Sequence, residues 1–111
     1  MKTKEPIAVL TTELGTVAFQ EQVFTTLVKE SMKENEVVLA IELSQLKRQK
    51  IQIASGESDN EVSLTVSVKL RGPVRAIQVC REIQEHLMTE VSNCLGVVVT
   101  EVILNIEDII Y

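Results

Sequence analysis

The chain has 111 residues, 45% of them hydrophobic, which suits one small domain with a single core. Sixteen acidic residues against eleven basic ones give a formal charge of −5, so we expect no nucleic-acid partner and no general binding to anionic lipid surfaces. No apolar run approaches the roughly 18 to 20 residues that a membrane crossing needs, so we expect no direct membrane insertion. The expected location is the cytoplasm, with membrane contact only through a partner.

The two cysteines, Cys80 and Cys94, fall within one predicted helix. Their spacing corresponds to roughly 21 Å along the helix, whereas a disulfide needs Cα atoms about 4.4 to 6.8 Å apart. We therefore expect two reduced thiols that act as small core residues. Because the chain has one histidine and no Cys-x-x-Cys pair, the sequence predicts no metal site and no cofactor.

The first part of the chain predicts a strand followed by a helix. Residues 1–13 are predicted to form a flexible N-terminal segment, and residues 14–111 to form the domain. Residues 16–19 are short, β-branched and apolar, which predicts a brief strand. Residues 20–33 form an amphipathic pattern of helical spacing. The apolar positions of this pattern are Val23, Phe24, Leu27, Val28 and Met32.

The middle of the chain predicts three strands. Residues 36–43 suit a buried strand but also fit a helix, and we favour the strand. Residues 50–54 and 61–70 alternate between apolar and polar side chains on either side of the polar segment 55–60, which predicts a β-hairpin. Such alternation indicates one buried face and one face that is wet or covered by a partner. The apolar positions of the second arm are Val62, Leu64, Val66, Val68 and Leu70.

The last part predicts a long helix and a final strand. Apolar residues recur every three or four positions across residues 74–95, and Gly96 can end the helix with left-handed geometry. Residues 97–106 form the final strand, with Val98 and Val102 on one side. The predicted fold class is α+β, with two helices packed on a mostly antiparallel β-sheet in the order β-α-β-β-β-α-β. The apolar positions of the helix are Ile77, Cys80, Ile83, Leu87, Val91 and Cys94.

Residues 83–106 resemble the C-terminal signature of the alkaline shock protein family, the envelope stress proteins of Gram-positive bacteria. The matching features are an Ile-Gln pair in a helix, a glycine at the helix end and a valine-rich strand with Glu-Val. The hairpin of residues 50–68 and the opening residues 14–18 are similar as well, whereas residues 37–50 lack the glycines common in the family. The residues that carry the signature here are Ile83, Gln84, Gly96, Val99, Glu101 and Val102.

The resemblance implies a non-enzymatic protein. Members of the family are described as abundant cytosolic proteins of alkaline or cell-envelope stress. Some are held at the membrane by an anchor protein with a related domain, and others are linked to control of fatty-acid synthesis. No shared catalytic residues come with the resemblance. It implies protein partners, among them a membrane-anchored relative, and a homo-oligomer.

His86 is the only imidazole of the chain, between the core positions Ile83 and Leu87. Neighbouring glutamates suggest a pH-responsive group. A surface histidine with ordinary partners on its helix is the simpler interpretation.

Two small basic clusters are the candidate partner-binding residues. Lys47, Arg48 and Lys50 form the first, and Arg71 and Arg75 flank the Gly-Pro turn before the long helix. If the fold brings the clusters together, they can receive an acidic segment of a partner or a phosphate. Charges exposed to solvent in loops are the alternative.

Carboxylate pairs such as Glu57 with Asp59, or Glu107 with Asp108, lack the burial that acid–base catalysis requires of them. The chain has no nucleophile elbow, no P-loop and no Gly-rich strand-to-helix turn, so no catalytic residue is assigned. The apolar residues 109–111 dock on the domain itself or on another copy.

Two functions remain open on the sequence. The first is an interaction module that binds other proteins through one sheet face or an exposed edge strand, for which the Thr/Ser face of residues 61–70 suits strand addition. The alternative is a regulatory domain that senses a small metabolite.

Overall fold

The structure is a computed structural model that describes residues 5–34, 51–73 and 75–110. These residues form two helices and five strands, an α+β fold as predicted. In chain order the elements are β1 (Ala8–Thr12), β2 (Gly15–Phe19), α1 (Glu21–Glu34), β3 (Ile51–Ser55), β4 (Glu61–Arg71), α2 (Ala76–Leu95) and β5 (Val98–Ile110).

The main sheet has three strands in the order β3-β4-β5. β3 and β4 form the predicted antiparallel hairpin, whereas β4 and β5 run parallel. The parallel pairing follows from the connection, because α2 carries the chain back along the sheet before β5 begins. β1 and β2 form a separate antiparallel pair, so the pairing is mostly antiparallel, as expected.

The core lies between the main sheet and the two helices. The five apolar side chains of β4 are fully buried, while Ser63, Thr65, Ser67 and Lys69 on its other face are half-buried. Both helices therefore pack on one face of the sheet, α1 against β3 and α2 against β5, and they also contact each other. The helix residues that cover this face are Phe24, Val28 and Met32 of α1 and Ile83, Leu87 and Val91 of α2.

The β1–β2 hairpin contains a strand that we did not predict. We expected residues 1–13 to be flexible with no strand, whereas residues 8–12 form β1. β1 pairs with β2, and its Val9 N–H donates to the carbonyl of Asp59 at 2.8 Å. The Ser55 hydroxyl donates to the Ile7 carbonyl, also at 2.8 Å. Contacts with a distant turn thus stabilise this strand, and the short sequence carries no periodic signal for them.

Several boundaries and orientations differ from the predictions. The order is β-β-α-β-β-α-β, because β1 is added and the strand expected at residues 36–43 lies outside the described residues. β5 continues to Ile110, four residues beyond the predicted end. A bulge at Thr100 changes which side chains of β5 face inward, so Val98 is exposed and Val99 is buried.

Three positions of α2 that the spacing predicted for the core are not among its buried residues, and the half-buried Cys80 is one of them. Ile77 is 78% exposed and Cys94 is exposed, although both fit the helical spacing. The buried stripe of α2 runs along Ile83, Leu87 and Val91, and Ile77 lies to one side of it. Cys94 lies in the last turn before Gly96, which adopts the predicted left-handed conformation with φ 74°.

Candidate interaction surfaces

Of the five basic residues in the two predicted clusters, the structure describes Arg71 and Arg75. Lys47, Arg48 and Lys50 lie outside the described residues. Arg71 ends β4, where its backbone pairs with Ile110. Arg75 is exposed and immediately precedes α2, with no side-chain hydrogen bond that caps the helix. Whether the two basic clusters meet stays a prediction.

An open groove runs along the first half of α2, beside Arg75. Its volume is about 630 Å³. Arg75 and Arg81 flank the exposed side chain of Ile77, so two guanidinium groups lie beside an apolar surface. The groove is completed by Ala76, Gln78, Glu82 and Glu85. Arg81 is not among the candidate residues predicted from the sequence; its four-residue spacing from Ile77 is the signal that could have identified it.

His86 lies at the contact between the two helices. Its Nε2 is 3.2 Å from the carbonyl oxygen of Ser31 in the last turn of α1. Because a carbonyl only accepts, Nε2 carries the proton in this bond. The last carbonyls of a helix lack partners within the helix, and His86 satisfies one of them. The histidine therefore joins the two helices, a contact that the sequence analysis did not predict.

The outer face of the main sheet is largely polar, with Val98 and Ile103 as its large exposed apolar side chains among the described residues. Gln52, Thr65 and Ile103 form a row across the three strands, and Ile103 is 44% exposed. Asn105 donates to the Ser67 hydroxyl at 3.3 Å. In the described part of the chain, both helices lie on the opposite face of the sheet. The alternation of residues 61–70 predicted this open face correctly.

β5 is the longer edge of the main sheet. It spans 13 residues and pairs with β4 on one side, and no strand among residues 5–34, 51–73 and 75–110 pairs with its other side. β3, the opposite edge, has five residues. β4 is the central strand, so strand addition to residues 61–70, which the sequence analysis suggested, would meet an edge that β3 and β5 already occupy. Among the described residues the outer edges of β3 and β5 are both unpaired, and β5 offers the longer one, which we call the free edge of β5.

A side chain of α2 contacts this edge. The Gln84 Nε2 donates to the Val102 carbonyl at 2.8 Å. α2 thus extends over β5 far enough for a half-buried side chain to satisfy a backbone group of the strand. Gln84 belongs to the family signature, but no pattern in the sequence indicates this contact with the strand.

The thiols and carboxylates form no recognisable catalytic arrangement within the described ranges. Burial raises the pKa of the half-buried Cys80 thiol, which makes it a weaker nucleophile, while Cys94 is exposed. Glu57 and Asp59 are exposed in the β3–β4 turn, and no three metal-binding side chains cluster among the residues described.

Neither α1 nor α2, the helices of the described residues, is long and apolar enough to cross a membrane. Comparisons with family models, with curated proteins and with solved structures gave no match. The resemblance to the alkaline shock proteins therefore stays a prediction from the residues of the signature, and the fold and its surfaces carry the functional argument.

Proposed function

We propose that the protein is a non-enzymatic interaction module that binds other protein chains at the free edge of β5. The observation that carries the proposal is the length of this edge, 13 residues with a partner strand on one side in the described part of the chain. Strands in globular proteins typically have about 5 to 6 residues. Natural proteins usually shorten or cover their edge strands, because unpaired N–H and C=O groups recruit other strands.

The side chains along this edge fit selective binding. Glu101 and Asp108 are exposed on the outer face, and Glu101 lies two residues from the apolar side chain of Ile103 on the same face. Acidic side chains on an edge strand disfavour indiscriminate pairing with other strands. An exposed apolar residue, by contrast, stabilises pairing with a strand that places an apolar side chain opposite it. Backbone hydrogen bonds supply affinity in strand addition, and such side chains supply specificity.

The resemblance adds the biological setting of the proposal. The protein acts in the cytoplasm in response to envelope or alkaline stress. Its partners are a membrane-anchored protein with a related domain, which brings it to the membrane, or enzymes of fatty-acid synthesis.

Native co-purification tests the proposal. The tagged protein is recovered from membrane and soluble fractions, and the bound proteins are identified by mass spectrometry. We expect enrichment of a membrane-anchored relative or of a lipid-synthesis enzyme. Ile103→Lys should lose the partner because it places a charge on the β5 edge, whereas Gln52→Lys, in the same row at the other edge, should retain it. Recovery of the protein without these partners from both fractions would refute the proposal.

The groove beside α2 favours a second candidate, a domain that senses a small metabolite. Its volume of about 630 Å³ lies within the range of small-molecule sites, and Arg75 and Arg81 suit an anionic ligand with an apolar portion. A thermal-shift screen of small carboxylates and phosphate esters tests it, because a ligand of the folded state raises the melting temperature. A true ligand should lose its effect in Arg81→Ala. No shift at millimolar concentrations would exclude this candidate.

A further inference from the structure

We infer that the strand received at the free edge of β5 is the β5 of a second copy of this chain. The two strands run antiparallel across a twofold axis and join two three-stranded sheets into one continuous sheet. The inference rests on the proposed function, because it names the occupant of the same edge; another partner chain would take this edge by displacing the second copy. A self-complementary surface is what a twofold dimer requires.

The backbone limits the ways in which two copies can pair. Along an edge strand, alternate residues direct N–H and C=O away from the sheet, and the bond from Gln84 identifies Val102 as one of them. Opposite residues must lie on the same face, so the twofold axis passes through a residue rather than between two. With the axis at Ile103, Val102 lies opposite Leu104 of the second copy. The Val102 N–H then donates to the Leu104 carbonyl, and the Val102 carbonyl, which already accepts from Gln84, accepts from the Leu104 N–H with its second lone pair.

Side chains on the outer face favour the axis at Ile103. Ile103, 44% exposed, then packs against its own copy, and Glu101 lies opposite Asn105, which can donate to the carboxylate. Moving the axis to Leu104 places Ile103 opposite Asn105, so the two Ile103 side chains no longer meet. Moving it to Val102 places Glu101 against Ile103. Of these registers, only the one centred on Ile103 pairs apolar with apolar.

The helix layer has one side above the same edge. His86 of α2 contacts α1, whereas Gln84 contacts β5, so these two residues mark opposite sides of the helix. Ile77, Arg81 and Met88 lie four or three residues apart in a stripe with Gln84, on the side above the free edge. Two of these side chains, Ile77 and Met88, are large, apolar and exposed.

The position of the axis on the helix follows from that on the strand. Gln84 lies level with Val102, one residue before the axis, and one strand residue rises about 3.3 Å, or roughly two helix residues. Because α2 runs antiparallel to β5, the axis crosses the helix near residue 82. Two antiparallel helices centred there bring Ile77 opposite Met88.

Charge complementarity supports the same axis. Arg81 and Glu85 are both exposed, and their midpoint is residue 83, so each arginine faces the glutamate of the other copy. The register was chosen from side chains on the outer face of the sheet. In the helix layer, the same register also pairs apolar with apolar and cation with carboxylate side chains, although these side chains were not used to choose it.

Light scattering on the purified full chain tests the dimer. We expect twice the 12.4 kDa mass of one chain. Ile103→Lys places two like charges opposite each other and should raise the dissociation constant of the dimer by about tenfold or more. Gln52→Lys, in the same row at the other edge, should leave the mass unchanged. A wild-type protein that stays monomeric at millimolar concentration, or an Ile103→Lys protein that dimerises normally, overturns the inference.

Two further variants test the helix contact and the register. Arg81→Glu and Glu85→Arg should each weaken the dimer, and the double variant should restore it. Because the two residues are also an i, i+4 pair of one helix, the free energy of unfolding is measured beside the dissociation constant, and a rescue of stability without a rescue of the dimer contradicts the helix contact. With Cys80 and Cys94 replaced by Ser, Ile103→Cys should form a disulfide-linked dimer on oxidation. Asn105→Cys, one row away, should not. Preferential crosslinking through position 105, or no rescue in the double variant, contradicts the proposed register.

The outcomes separate the dimer from the proposed function. A monomeric protein that still captures a partner in a manner sensitive to Ile103→Lys refutes the self-pairing and keeps the interaction module. A dimer that captures neither a membrane-anchored relative nor a lipid-synthesis enzyme confirms the self-pairing and refutes the proposed setting.

Discussion

Replacing Gly96 by Ala should destabilise the fold by an amount that its geometry sets. Gly96 has φ 74°, a left-handed conformation that costs a residue with a Cβ about 1 to 2 kcal/mol. Alanine also restricts the unfolded chain, which offsets about 0.4 to 1 kcal/mol of this cost. The expected loss in the free energy of unfolding is therefore about 1 kcal/mol, or about 4 to 8 °C in melting temperature for a small domain.

A second contribution comes from the neighbouring hairpin. A Cβ at position 96 would lie 3.3 Å from Cδ1 of Leu10, so the leucine must shift slightly. Chemical denaturation of three variants, Gly96→Ala, Gly96→Asn and the double variant Gly96→Ala/Leu10→Ala, separates the cost of backbone strain from the cost of the contact with Leu10. Asparagine carries the same Cβ but tolerates left-handed geometry, so it should lose less than alanine. If Gly96→Ala and Gly96→Asn lower the free energy of unfolding equally, or if Gly96→Ala does not lower it, then backbone strain is not the reason for a glycine at this helix end.

Two further predictions concern α2. His86→Ala should lower the free energy of unfolding by about 0.5 to 1.5 kcal/mol in denaturant titrations, because the carbonyl of Ser31 loses its donor; wild-type stability would show that the bond contributes nothing. Cys94 should react with a thiol reagent faster than Cys80, as single Cys→Ser variants can show. Burial raises the pKa of Cys80, so the folded state favours the neutral thiol. The stability that depends on the neutral Cys80 thiol is therefore present at lower pH and is lost as the pH rises through the folded-state pKa. Equal rates for the two thiols would contradict this assignment.

The sequence predicted the elements whose environment repeats along the chain. β4 alternates because one face is fully buried and the other is not, and the helices show the spacing of a single buried stripe. Gly96 was identifiable because few other residues adopt left-handed geometry at a helix end. β1 was missed because Ala8 is its only buried residue, so its five residues show no alternation. β5 was ended too early because Glu107 and Asp108 are exposed residues beside a bulge.

The candidate site was less accessible to sequence reasoning. Arg75 was singled out from its position beside a turn, and it does line the groove. Gln84 and Ile103 belong to the candidate binding edge, because α2 lies over the edge of β5 and Ile103 lies on that edge. Both facts depend on which strands pair. Pairing joins residues far apart in the chain, and no local pattern in residues 61–70 distinguishes a central strand from an edge strand.

The central position of β4 also affects how the chain reaches this fold. Its five buried side chains are mostly β-branched and alternate over nine residues. One edge of β4 stays unpaired until β5 has been synthesised, and β5 follows α2 in the chain. During synthesis this segment is thus exposed while half of its cover is missing, and such segments are prone to aggregation. Lys69, within the strand, is the kind of charged residue that limits it. A nascent chain of this protein therefore has a defined interval in which a chaperone would be useful, and this interval closes when β5 pairs with β4.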